Sequence, residues 1–282
     1  MWDSVKKTAN TLIASLVTGV FVSLPISAQA QTDVSLDPEF GARISVGVNK
    51  KVVKKLHVSL EEEVRFADNF SSFSRMQTTI GCSYKINNML KAGVGYALIN
   101  PYSSSNGAFK NSRHRLMADV SVGYRTGAWK FSLKERIQMT HLTGDFNTYQ
   151  QPRNAVMLKS RLSAKYHLSS RLVPYTYVEL RHFLNAPVIT AVYDGSSYSS
   201  ATGSDAAGWF LDGFNGSYLN RVRTSLGIDI PVSKQHQFNL HLLADYVSDK
   251  VVDANAKGTK LKSYTKEHGW MGWVGAGYAF KF

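Results

Sequence analysis

Charged side chains in this sequence recur at every second position over long stretches. Glu61, Glu63 and Arg65 do so, as do Arg113, Arg115 and Asp119, Lys134 and Arg136, Lys159, Arg161 and Lys165, Glu179 and Arg181, and Arg221 and Arg223. In an extended chain, residues two apart share a face, so these bases and acids would line common surfaces. The chemistry open to such a surface is electrostatic. It can pair guanidinium with carboxylate, and any uncompensated bases attract anions.

Other chemistries have weaker support. A hydrolase needs a nucleophile, a histidine and an orienting group within hydrogen-bond reach. The eight histidines are scattered. By phase His114 and His236 fall on the apolar face and His57, His167 and His241 on the charged one, none in a Ser/His spacing. His141 and Asp145 form a weak protease-like pair beside a loop. The single cysteine, Cys82, excludes an internal disulfide and a cysteine-based zinc site, and by phase it is a small outward-facing hydrophobe. Gly93-Val94-Gly95 and Gly275-Ala276-Gly277 resemble half of a nucleotide fingerprint but lie inside strands, so they read as close-packing positions on the inner face. No metal or cofactor is implied, and the expectation is a non-enzyme.

The elements that must hold these faces come after an export signal. Lys6 and Lys7, the apolar run Leu12–Leu24 and Ser27-Ala28-Gln29-Ala30 have the layout of a signal peptide cut after Ala30. The apolar run is too short to span a bilayer as a helix, which takes about 20 residues. Residues 31–282 then form one domain. The formal net charge of the whole chain is +13, and removing Asp3, Lys6 and Lys7 lowers it by only one. In an exported chain whose bases alternate, nucleic acid is not expected as a partner.

Alternation runs through Ala42–Val48, Leu56–Phe66, Met76–Ile86, Met89–Leu98, Arg113–Tyr124, Trp129–Met139, Leu158–Leu168, Pro174–Phe183, Asn220–Ile230, Gln235–Tyr246 and Trp270–Phe282. Short turns at Asn87-Asn88, Thr126-Gly127, Ser169–Arg171 and Val232–Lys234 alternate with long polar loops at Asn100–Ser112, His141–Val156, Leu184–Tyr218 and Ser248–Gly269. That rhythm is expected of a transmembrane antiparallel β-barrel with short periplasmic turns and long extracellular loops. A two-sheet sandwich alternates as well. The aromatics discriminate: on the apolar face Tyr84, Tyr124, Trp129, Tyr166 and Tyr278 sit near short turns or the C-terminus, and Tyr96 and Tyr246 approach the long loops. Such sorting matches the two belts of a membrane barrel. The terminal Tyr278, Phe280 and Phe282 resemble the C-terminal signal by which the barrel-assembly machinery recognises outer-membrane barrels.

Eleven segments are legible, whereas single-chain bacterial barrels have even strand numbers. Twelve strands are therefore expected, the missing one within Gln31–Phe40, with ten as the alternative. The charged face carries 18 bases and 6 acids. Its lumen-lining bases include Arg65, Arg75, Arg113, Arg115, Lys134, Arg136, Lys159, Arg161, Arg181, Arg221 and Arg223. Its acidic partners are Glu61, Glu63, Asp119, Glu179, Asp229 and Asp245. The opposite face carries only Glu62 and Glu135.

The runs KKVVKKLHVSLEEEVRF, IGCSYKINNMLKAGVGYALIN, SRHRLMADVSVGYR, FSLKERIQM, VPYTYVELRHF and NRVRTSLGIDI resemble a family of uncharacterised outer-membrane β-barrel proteins, a domain of unknown function, from gut-type Gram-negative bacteria. The recurring elements are Glu63-Val64-Arg65, Tyr84-Lys85, Gly95-Tyr96, His114-Arg115, Arg136, Pro174-Tyr175, Glu179 and Arg221. Ala42-Arg43 stands where that family often has a Trp. The resemblance implies the fold and a place in the outer membrane, with no substrate.

Three functions follow as expectations. The first is a narrow, porin-like conduit or binding barrel for small anionic solutes, which could equally be filled by ion pairs. The second is a structural or surface-binding barrel using the 184–218 loop. The third and weakest is a lipid- or peptide-hydrolysing enzyme. Lipid and lipopolysaccharide are the expected surroundings; the loop bases Lys110, Lys250, Lys257, Lys260, Lys262 and Lys266 are either its contacts or, as the preferred reading, plainly solvated.

Overall fold

The computed structural model describes residues 32–192, 208–258 and 261–282; the proposed cleavage site at Ala30 lies outside them. Thirteen strands are present among these residues: β1 (Thr32–Ser35), β2 (Glu39–Val53), β3 (Leu56–Ala67), β4 (Ser72–Lys85), β5 (Leu90–Ser103), β6 (Ala108–Phe109), β7 (Arg113–Thr126), β8 (Trp129–Leu142), β9 (Asn154–Tyr166), β10 (Val173–Val192), β11 (Gly208–Pro231), β12 (His236–Ala254) and β13 (Leu261–Lys281). From β2 to β13 the wall is an antiparallel meander of neighbours, with β6 a two-residue rider on β5. It closes where β2 pairs with β13 from Met271↔Glu39 to Lys281↔Asn49, and this seam is parallel.

The wall therefore has eleven strands, correcting the expected twelve and the alternative ten. The segment proposed for the missing strand does extend, at β1, but it pairs parallel to β13 from Thr32↔Thr265 to Ser35↔His268. It runs along the same edge of β13 as β2, before the break at Leu36–Pro38, and lengthens the seam without adding a wall strand.

Several contacts hold the seam. Beyond its last ladder pair the Phe282 amide donates to the Asn49 carbonyl at 3.0 Å. On the flank of β2 away from the seam, the Asn69 amide donates to the Phe40 carbonyl at 3.0 Å, and the Phe40 amide donates to Asn69 Oδ1 at 3.2 Å, which anchors the start of β2 to the β3–β4 turn. The β3–β4 turn that supplies Asn69 carries three consecutive left-handed residues, Asp68, Asn69 and Phe70. Of these three, Asp and Asn enter that region readily and Phe does not, so the turn holds a local strain at Phe70 that its bonds to β2 offset. Inside the seam, Arg43 stacks on the Trp273 ring at 4.4 Å. Gly41 makes this possible: a Cβ there would lie 2.5 Å from the indole and 2.4 Å from the Phe66 carbonyl.

Two of the expected long loops are largely strand. β10 and β11 stay paired out to Val192↔Gly208, through bulges beginning at Arg181/His182, and β12 and β13 out to Ala254↔Leu261. Residues 193–207 of the 184–218 segment lie outside the described residues. Lys250, Lys262 and Lys266 consequently sit on strands, and Lys260 is outside the described residues. The β8–β9 connection reaches over to the β12 tip, where Asn147 Nδ2 donates to the Ala254 carbonyl at 2.7 Å and Gln150 Nε2 to Asp253 Oδ1 at 3.0 Å. Tyr149 packs there against Ile189, Val252, Ala254 and Leu261.

The burial pattern is inside-out relative to a water-soluble sheet protein. Arg43, Glu179, Asn220, Arg223, Asp229 and Asp245 are buried, whereas Val94, Leu162 and Leu226 are 60% or more exposed. Among the described residues no second sheet covers the apolar face, because the sheet closes on itself. This removes the sandwich alternative.

Candidate functional site

Each wall strand contributes alternate side chains to the interior, and the register aligns them across strands. Arg43, Arg65 and Arg75 lie directly opposite one another on β2, β3 and β4, and Glu179 lies between Arg161 and Arg223 on β9 and β11. Five of the six predicted acids pair with these bases. Asp245 has no exposed surface and accepts from Arg223 Nε and Nη2 at 2.5 and 2.6 Å, with Arg221 Nη1 at 3.2 Å and Arg43 Nη2 at 3.8 Å. Glu179 accepts from Arg181 Nε and Arg161 Nε, both at 2.8 Å. Glu63 pairs with Arg65 at 2.5 Å, and Asp119 with Arg136 at 2.7 Å and Lys134 at 3.2 Å. Asp229 takes Lys165 at 2.6 Å from a strand two away. Glu61 faces the same interior with no ion pair among the described residues.

These contacts do not exhaust the bases. Among the described residues no carboxylate lies within ion-pair distance of Arg75, Arg113, Arg115 or Lys159. Arg115 Nε donates to Thr140 Oγ1 at 3.0 Å, and buried Arg75 Nε and Arg221 Nε lack a partner. Buried donors without acceptors are costly, and a bound anion would satisfy them.

A second basic region lies at the short-turn mouth. A cavity of about 1050 Å³ is bounded there by Lys51, Lys85, Lys91, Arg125, Lys130, Lys134, Arg161 and Lys281, with His57, Asn87, several serines and the terminal Phe282, and among the described residues no Asp or Glu side chain contributes to its wall. Lys85, Lys91, Arg125, Lys130 and Lys281 lie on the charged face by alternation but are not among the eleven lumen-lining bases named from the sequence. The legible signal was their position next to the turns: Lys85 and Lys91 flank one, Arg125 and Lys130 another.

Several of the aromatic side chains named from the sequence have close partners or lie exposed. Tyr84, Tyr124 and Trp129 are exposed beside short turns, and Trp129 packs against Tyr166 at 4.8 Å. Tyr96 donates to or accepts from His114 Nδ1 at 2.6 Å, Tyr278 does the same with His236 Nδ1 at 2.7 Å, and Tyr246 packs on Trp270 at 5.2 Å. The terminal Phe280 and Phe282 rings meet edge to face, and Phe282 is 60% exposed. The outward carboxylates Glu62 and Glu135 accept from Thr78 Oγ1 and Ser160 Oγ, each at 2.6 Å. The inner-face glycines act as close-packing positions, since a Cβ on Gly275 would come within 2.0 Å of His241 Nε2.

The histidines are dispersed. Among the described residues their side-chain hydrogen bonds go to tyrosine or asparagine: Tyr96, Tyr278, Asn154 for His141, and Asn239 for His241. Asp145 is not in the bonding of His141. Among the described residues no group of three or more His, Cys, Asp or Glu converges as a metal site.

Comparison with known proteins places this geometry in a family. Residues 40–195, more than half of the chain, match the family described as "Protein of unknown function (DUF2490)", and the chain belongs to that family. No curated protein matches it. A solved structure described as a NanC porin aligns with 13% identity and a TM-score of 0.41, over 86% of this chain and 98% of its own.

Proposed function

We propose that this member of the family is exported by a signal peptide cut after Ala30 and serves as an outer-membrane barrel whose basic interior binds small anions and admits them along a narrow path. The observation that carries this reading is the surplus of interior bases left after five of the six acids are paired, together with a mouth cavity whose described wall has eight basic side chains and no Asp or Glu. Low-dielectric walls focus such a field, raising the local concentration of anions and repelling cations. The ion-paired centre then serves two ends at once. It fills the interior and fixes the guanidinium positions, while the guanidiniums of Arg75 and Arg115 keep net charge beside it.

The membrane assignment rests on the outer face. Exposed Val94, Leu116, Leu162, Leu226 and Leu240 form an aliphatic band, and tyrosines and tryptophans lie towards its edges. Water would penalise that surface, whereas hydrocarbon favours it, and rings prefer the two interfaces. Phe282 at the end of the last strand is the proposed contact for the assembly machinery.

The test is a reversal-potential measurement on the purified barrel in a planar lipid bilayer under a potassium chloride gradient. Current with anion preference is expected. A silent bilayer, or cation preference, overturns the conduit.

A further inference from the structure

The short-turn mouth presents an arrangement that its own charges disfavour. Lys85 lies directly opposite Lys91, and Lys130 directly opposite both Arg125 and Lys165. All five are inner-face positions. Directly opposed residues bring their Cβ atoms to about 5 Å, where like charges are destabilising. Asp229 relieves Lys165 alone, at 2.6 Å. Among the described residues Lys85, Lys91, Arg125 and Lys130 have no carboxylate within ion-pair distance, and these four border the cavity of about 1050 Å³. Three neighbouring like-charge pairs on one rim are an odd choice for a wall stabilised by cross-strand contacts. They are a reasonable choice for a receptor.

From this rim we infer a binding site for a small anion carrying two or more phosphate groups, held at the short-turn mouth by Lys85, Lys91, Arg125 and Lys130. A multivalent anion bridges bases on adjacent strands that a single chloride cannot bridge, converting the repulsion into attraction. Lysine ammonium groups suit phosphate as mobile point charges, unlike the fixed guanidinium forks deeper in the barrel. Ser83, Ser121 and Ser163 in the same wall supply neutral hydroxyl donors. The cavity volume is at the upper end of typical small-ligand sites, roughly 300–1,000 Å³, leaving room for a phosphate ester as well as its phosphates. The site rests on the proposed anion-handling interior and adds its location and ligand class.

The test follows the thermal unfolding midpoint of the purified barrel in detergent, with inorganic pyrophosphate as the probe against sodium chloride of equal ionic strength. Pyrophosphate should raise the midpoint by several degrees beyond chloride. The K85Q/K130Q double variant should lose that gain while being at least as stable as wild type without pyrophosphate, because its repulsion is gone. An equal effect of matched chloride, or a gain that survives in K85Q/K130Q, overturns the site. Should that variant fail to fold, K91Q/R125Q and the broadening of the pyrophosphate phosphorus resonance by wild-type barrel decide the matter, and absent broadening overturns it. An anion-selective bilayer current without a pyrophosphate-specific shift keeps the broader reading and loses this site. A pyrophosphate-specific shift with a silent bilayer keeps the site and loses the conduit.

Discussion

Asp245 is the residue whose loss the structure makes most costly. Its carboxylate has no exposed surface, accepts two bonds from Arg223 and one from Arg221, and lies 3.8 Å from Arg43. Asp245→Asn keeps the shape but removes the carboxylate charge that these guanidiniums contact directly, and turns an amide donor towards them. Breaking one side of a buried ion pair costs about 3–5 kcal/mol, because the remaining charge stays buried. For a chain of this size about 1 kcal/mol moves the midpoint by roughly 2–4 °C, so the loss should be roughly 6–20 °C. The assay is fluorescence-monitored unfolding of barrels refolded into phospholipid vesicles, by heat and by urea. Arg223→Gln should cost a similar amount, and D245N/R223Q together clearly less than the sum, since removing both partners takes away the uncompensated charge. A D245N barrel within about 1 kcal/mol of wild type, or strictly additive variants, would falsify the view of this cluster as a coupled network.

Two further variants probe the seam and the outer face. Gly41→Ala places a methyl group 2.4 Å from the Phe66 carbonyl and 2.5 Å from the Trp273 ring. It should cost about 1–3 kcal/mol in urea unfolding, and Trp273→Ala should recover only part, because the carbonyl remains; full tolerance of G41A would argue against the parallel closure. Leu226→Arg tests the surroundings of the barrel, since Leu226 is 66% exposed on the outer face. In vesicles it should cost about 2–4 kcal/mol if the site lies near mid-bilayer, whereas on a water-exposed surface the change stays within about 0.5 kcal/mol.

The faces of this barrel were legible in the sequence because side-chain direction in a strand has a strict period of two. That period put Arg113, Arg115 and Asp119 on one side and His114, Leu116 and Val120 on the other, and the register agrees pair by pair. The turns at Asn87-Asn88 and Gly127 were legible for a similarly local reason, since tight reversals need those residue types. The extent of the strands was not. Residues 184–192 are mostly apolar without a period of two and contain Pro187, residues 248–254 are mixed, and the strand character of both comes from ladder partners on the returning chain.

What alternation cannot encode is which strand lies alongside which, and in what direction. The parallel seam between β2 and β13, and with it the odd number of wall strands, depends on two segments more than 200 positions apart meeting in register. The interior pairings depend on the same closure. Arg43 reaches Asp245 past β13, and Lys165 reaches Asp229 past β10, contacts made only because the curved wall brings non-adjacent strands together. Composition and alternation together determined that the inner face holds more bases than acids. Tertiary structure decided which bases are neutralised and which, at the short-turn mouth, face one another without a counter-charge, because charge is a property of residues and its compensation a property of distances.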